Sequence, residues 1–147
     1  MAGPEFRLEQ VLKYRKEVEK MQQLELAAVR QQQDSAQQRL KNEKAAMDVL
    51  EQEFSQRQLQ GIDAKDLQLY GQFNRRKTRE IQQIKESLPA LEKAVQEKRE
   101  ALVAAAKEKK ALELFKEKKM RDLRMEQLCR ERAFLDEIAI QGRGSKK

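Results

Sequence analysis

Ser55 to Asp66 reads SQRQLQGIDAKD, and this stretch decides the fold because it holds the only convincing turn in the chain. Gly61 suits the left-handed conformation that terminates a helix, since it carries no Cβ to clash with the following carbonyl. Asp63 then stands where an N-cap would, and Asp66 places a carboxylate in the first turn of the next helix, where it favours the free N–H groups and the helix dipole. On either side the sequence is dominated by Gln, Glu, Lys, Arg, Ala and Leu, all good helix formers. The expected architecture is all-α: helix 1 over about 4–58, a turn over about 59–63, helix 2 over about 64–141, and a disordered tail at 142–147. The 147 residues would then form a single coiled-coil hairpin.

Working outward from the turn, the apolar residues fall on a seven-residue frame. In helix 1, Leu26, Val29, Gln33, Ala36, Leu40, Glu43, Met47, Leu50 and Phe54 follow alternating steps of three and four, and most are apolar. In helix 2, Ile81, Ile84, Leu88, Leu91, Val95, Lys98, Leu102, Ala105, Lys109 and Leu112 do the same. A single tight turn forces the helices to run antiparallel. Leu50 is then expected to face the region of Phe73, Leu40 to face Ile84, Val29 to face Val95, and Val11 to face Leu112. The spacings from Val18 to Val29 and from Leu112 to Leu123 predict two slips of the frame. Pro89 predicts a kink rather than a break, because Leu88 and Leu91 keep the frame across it, and Gly71 is a second weak point.

Composition agrees with a thin seam between solvated flanks. Only 39% of residues are hydrophobic, 39% are charged, 5% are aromatic and Trp is absent, which is too little apolar material for a compact globule. An all-β or α/β fold is excluded by the scarcity of β-branched and turn residues. The absence of His removes the commonest general base, the familiar nucleophilic triads and most zinc sites, so no enzyme activity, metal or cofactor is expected. Carboxylate pairs such as Glu51 with Glu53, or Asp136 with Glu137, read as a solvated helical face. Cys129 has no second thiol to pair with, which fits a reducing cytoplasm. No apolar run exceeds the six residues from Ala101 to Ala106, and the opening MAGPEFRLEQ lacks the core of a secretory signal.

The net charge of +7 is unevenly spread. Residues 107–147 carry 13 basic and 8 acidic side chains, against 10 and 10 in residues 1–60. Glu113 with Lys116, and Glu117 with Arg121, are spaced for pairing along one helix. Stacking aromatics are not interleaved with the basic clusters, so a protein partner with an acidic cavity fits better than nucleic acid. Counting back from the turn, helix 1 runs out opposite residue 120 or so of helix 2. The remaining overhang carries Leu123, Leu128, Phe134, Leu135 and Ile138, which marks it as an interaction surface. Tyr70 and Phe73, beside the turn and opposite Met47, Leu50 and Phe54, form a second candidate surface, because a two-helix seam cannot bury so many large side chains at its end.

Three stretches carry a family resemblance. They are Phe6 to Leu12 (FRLEQVL) with Arg15 to Ala27 (RKEVEKMQQLELA), then Ala111 to Lys119 (ALELFKEKK), then Leu135 to Ala139 (LDEIA). In order and layout they resemble the FliJ family of the bacterial flagellar type III protein export apparatus; Phe115 stands where Leu is more usual. The resemblance implies a long antiparallel coiled coil similar to the central stalk of rotary ATPases. It further implies binding to the hexameric export ATPase FliI, promotion of its assembly, and contacts with the cytoplasmic domain of the export gate FlhA and with export chaperones. The implied location is cytoplasmic, peripheral to the inner face of the cell membrane at the flagellar base, touching membrane only through the apparatus. Carried onto this chain, the ATPase-binding end comprises Phe6, Leu8, Val11, Phe115, Lys116, Lys119, Leu123, Leu128 and Leu135. The gate-binding tip comprises Met47, Leu50, Phe54, Tyr70 and Phe73. The alternatives are the equivalent stalk of a virulence-type injectisome, the YscO group, and a basic coiled-coil nucleic-acid-binding protein.

Overall fold

Proline at the first position of a helix loses nothing, since its missing N–H would have no partner there, and Pro4 opens the first helix. In the computed structural model, which describes the backbone of residues 4–144 and the side chains of residues 7–144, α1 runs from Pro4 to Gln60 and α2 from Ala64 to Gly144. Gly61 adopts φ +96°, the conformation anticipated for it, and its N–H donates to the carbonyl of Gln58 at 3.4 Å. The carbonyl of Asp63 accepts from the Leu67 N–H at 3.1 Å, which is the first hydrogen bond of α2 and defines Asp63 as its N-cap. Both helices extend slightly past the expected limits, α1 to Gln60 and α2 through Gly142 to Gly144. No residue other than Gly61 has a positive φ among those described, so Gly142 and Gly144 continue the helix instead of capping it. Of the expected disordered tail, residues 145–147 lie outside the described residues.

The two helices pack as an antiparallel hairpin, and the chain divides into two compact units instead of one. Residues in a two-helix structure touch only neighbours a turn or two along the axis, so contacts are local by construction. One unit is Lys20–Val103 and the other combines Met1–Glu19 with Ala104–Lys147.

In the Lys20–Val103 unit the seam follows the frame read from the sequence. From Leu26 to Phe54, the nine frame positions are the ones withdrawn from solvent, and every residue between them is exposed. On α2 the frame positions from Ile81 to Leu102 are likewise covered, with Ile84 and Val95 buried. Leu26 is buried on α1. Glu43 receives a hydrogen bond from Lys77 at 2.8 Å and Glu25 one from Lys98 at 2.7 Å, so the charged frame residues Glu43 and Lys98 are paired across the hairpin. Lys98 with Glu25 falls on the register that the Gly61 turn predicts, and Lys77 with Glu43 falls within one helical turn of it. Pro89 sits exposed inside a continuous α2, and the Ser87 hydroxyl donates to the Ile84 carbonyl at 2.7 Å in the turn before it.

The two expected slips of the frame do not occur. Eleven residues is also the sum of steps of four, three and four, and the covered positions between Leu8 and Val29 include Leu12, Arg15, Glu19, Gln22 and Leu26 at those steps, with Val18 and Glu25 half-buried beside them. Likewise Leu112, Lys116 and Lys119 lead to Leu123. Charged residues hold the frame where apolar ones were sought. Consequently Leu12, 5% exposed, takes the seam position expected of Val11, which is 43% exposed.

Gln22 is the costly polar residue of the seam. Its Oε1 is buried and accepts no hydrogen bond among the described residues. An unmet buried acceptor costs about 1–3 kcal/mol. Replacing Gln22 by Leu is expected to stabilise the hairpin by about 1 kcal/mol or more, read as a rise in melting temperature of roughly 3 °C or more. An unchanged or lower melting temperature would show that this oxygen is hydrated.

Candidate partner-binding surfaces

The first surface is built in the unit that joins the start of α1 to the last part of α2. Here Leu12 and Ala105 are the buried apolar residues among those described, Leu8, Val18, Ala106 and Leu112 are half-buried beside them, and three cross-hairpin ion pairs add to the seam. Lys109 contacts Glu19 at 2.8 Å, Arg15 bonds to Glu108, and Lys116 pairs with Glu9. Lys116 therefore reaches across the hairpin and is not paired along its own helix with Glu113. The partner carboxylate of Glu19 holds Lys109 above the usual lysine range, helped by the nearby Glu113 and opposed by partial desolvation.

From Arg121 to Gly144 every residue of α2 is exposed. The expected overhang is present, and it bares Leu123, Met125, Leu128, Phe134, Leu135, Ile138 and Ile140. A groove of about 390 Å³ lies where α1 gives out, lined by Leu8 and Glu9 of α1 and by Lys116, Lys119, Met120, Leu123, Arg124 and Gln127 of α2. It brings together four residues anticipated for the ATPase-facing end, namely Leu8, Lys116, Lys119 and Leu123. Leu128 and Leu135 are exposed further along, Val11 and Phe115 are exposed outside the groove lining, and the side chain of Phe6 lies outside the described residues. Met120, Arg124 and Gln127 were missed because their role depends on where α1 begins.

The second surface is at the turn, in the Lys20–Val103 unit. Phe54 and Tyr70 stack face to face with ring centroids 3.8 Å apart and planes 10° from parallel, tying α1 to α2 beside Gly61. Burial, reinforced by the charge of Glu51, pushes the Tyr70 phenol above its ordinary range. Met47, Leu50, Phe54 and Tyr70 are thus half-buried seam residues, and among the five tip candidates only Phe73 is turned outward, at 36% exposure. The Phe54–Tyr70 stack sets Leu50, one turn earlier on α1, opposite the covered Asn74, in the region of Phe73 as expected. Arg76 and Lys77 lie over the Phe73 ring at 5.1 and 5.6 Å. The same unit also exposes apolar residues that the heptad frame passes over: Val49, Leu67, Leu69 and, at 89% exposure, Leu59. Their signal in the sequence was their position off the seam.

Lys77 is held above the usual lysine range chiefly by its hydrogen bond to Glu43, with Glu80 adding to the effect. Lys77, Lys109 and Tyr70 share one sign. Each has a folded pKa above its unfolded value, so each contributes stability that is complete below about pH 10 and is lost as pH rises through the folded pKa. The melting temperature is expected to decline above about pH 10, and to decline less steeply when Lys77 and Lys109 are both Met. Equal slopes for the two proteins would contradict these pairings.

Among the described residues, no group of three or more His, Cys, Asp or Glu is placed to hold a metal ion, and no helix is long and apolar enough to cross a membrane. Two helices closed by one turn, with a bare helical overhang and exposed apolar residues near the turn, define an all-α coiled-coil hairpin. The family model described as the flagellar FliJ protein matches residues 4–146, nearly the whole chain, and the chain belongs to that family, a component of flagellar protein export. No curated protein and no solved structure gives a significant match.

Proposed function

We propose that this chain is a stalk-like adaptor that inserts its α2 overhang and the adjoining start of α1 into the hexameric export ATPase FliI, promotes assembly of that ring, and presents the turn to the cytoplasmic domain of the export gate FlhA. Mechanical coupling through the hairpin, with no chemistry of its own, is the mode of action. Contacts with export chaperones, and a place at the inner face of the cell membrane through the apparatus, belong to the same reading. The observation that carries it is the run from Arg121 to Gly144, exposed at every position while bearing seven large apolar side chains. A helix of that kind gains by burial, at about 25 cal/mol per Å² of apolar surface covered. The central opening of a ring covers a helix on all sides, which suits a face that is apolar in several directions.

Sedimentation of the cognate ATPase with and without the chain tests this reading. The expected result is a shift of the ATPase toward its hexamer together with co-migration of the chain. An ATPase profile that the chain leaves unaltered would overturn it. Binding of the chain to RNA or DNA with a log affinity that falls linearly with log salt would favour the basic nucleic-acid reading instead.

A further inference from the structure

The two units differ in what fills their seams. In the unit containing the chain ends, the frame positions are Leu8, Leu12, Arg15 and Glu19 on α1, and Ala105, Lys109, Leu112, Lys116 and Lys119 on α2. Most of these are charged. Within Lys20–Val103 the frame positions are mainly Leu, Ile, Val, Met and aromatic residues, with Glu43, Lys77 and Lys98 the charged ones. Among the described residues Leu12 is the one fully buried apolar residue on this part of α1, with Leu8 and Val18 half-buried, and three cross-hairpin ion pairs, Lys109 with Glu19, Arg15 with Glu108 and Lys116 with Glu9, carry much of the remaining holding. All three pairs keep some side-chain exposure to solvent, the Lys109–Glu19 pair the least, since its Glu19 oxygen is buried.

Partly exposed ion pairs are weak and are screened by salt, whose Debye length contracts from about 10 Å at 0.1 M to about 3 Å at 1 M. Apolar layers are not weakened in this way. Sub-global openings follow the segment with the fewest buried apolar contacts. We infer that residues 7–19 of α1 are a releasable clasp, held on α2 by charge, that opens as a unit while the seam from Leu26 to Phe54 stays closed. Opening uncovers Ala105 and Leu112, which continue on α2 into Met120 and Leu123, and so lengthens the apolar face available to a partner. It also frees Arg15, Lys109 and Lys116. The partner that this exchange fits is a protein surface carrying carboxylates beside apolar side chains, able to take the places of Glu9, Glu19 and Leu12. The clasp is a property of the free chain and stands whether or not the ring-binding reading holds.

Amide hydrogen exchange of the full chain, at 0.05 M and 1 M sodium chloride, tests the clasp. Amides of residues 9–19 are expected to exchange about tenfold faster at the higher salt, while those of residues 26–54 change by less than about twofold. In the double variant Glu19→Leu with Lys109→Leu, which puts an apolar layer in place of the central pair, residues 9–19 should exchange at least about tenfold more slowly than in the parent at 1 M salt and lose most of their salt response. Gln22→Leu, whose site is in the other unit, should leave exchange at 9–19 as it was. Equal protection and equal salt response in the two segments of the parent would overturn the inference. So would a salt response undiminished in the double variant, given a helical circular dichroism spectrum that shows it folded.

Discussion

Deleting residues 123–147 is expected to abolish capture of the export ATPase while leaving a folded hairpin. Among the described residues every cross-hairpin ion pair and every buried apolar residue lies at or before Lys116, so the deletion removes helix and one wall of the groove but leaves the buried seam. Helicity should fall in proportion to the residues lost and the melting temperature should move by less than about 2 °C, since a helix end without tertiary contacts adds little to stability. Affinity behaves differently. Burying a large apolar side chain is worth about 1.5–3 kcal/mol, and Leu123, Leu128, Phe134, Leu135 and Ile138 are all bare. Losing even two of them from an interface corresponds to a hundredfold or greater weakening. Ring assembly as strong with the shortened chain as with the whole one would show that the overhang is not the ring-facing element.

The second large effect separates two neighbouring aromatics. Tyr70→Ala removes a ring stacked at 3.8 Å on Phe54 in the half-buried seam. Truncating such a ring costs about 2–4 kcal/mol, or a fall in melting temperature of roughly 5–12 °C. Phe73→Ala removes a ring that is 36% exposed and carries Arg76 and Lys77 over its face, each contact worth under about 1 kcal/mol at an exposed site. Its melting temperature should therefore stay close to the parent value. Binding to the gate domain should follow the opposite order once both variants are measured well below their melting temperatures, with Phe73→Ala weakened by about tenfold or more. Gate binding untouched by Phe73→Ala would remove this ring from the interface and leave Leu59, Leu67 and Leu69 as the tip's remaining apolar contacts.

The hairpin was legible because one glycine and one N-cap interrupt an otherwise helix-forming chain, and because the apolar frame is dense from Leu26 to Phe54 and from Ile81 to Leu112. It was misread where charge occupies the seam. Arg15, Glu19 and Lys116 look like solvated residues in a single sequence, and only the partner helix reveals that they pair across the interface. The same ambiguity decided between neighbours. Val11 and Leu12 differ by 100° around the helix, as do Leu69 and Tyr70, and hydrophobicity alone does not choose which faces inward. The overhang was legible by arithmetic from the turn, whereas the groove at its base required the side chains of both helices.

The most direct measurement is a pull-down in which the full chain is offered the purified cognate export ATPase and the cytoplasmic domain of the export gate, separately and together. An adaptor with a ring-facing end and a gate-facing turn retains each partner alone and both at once, with the ATPase lost on deletion of residues 123–147 and the gate domain lost on Phe73→Ala. Retention of neither partner by the intact, helical chain would contradict the account, and so would two partners that displace each other.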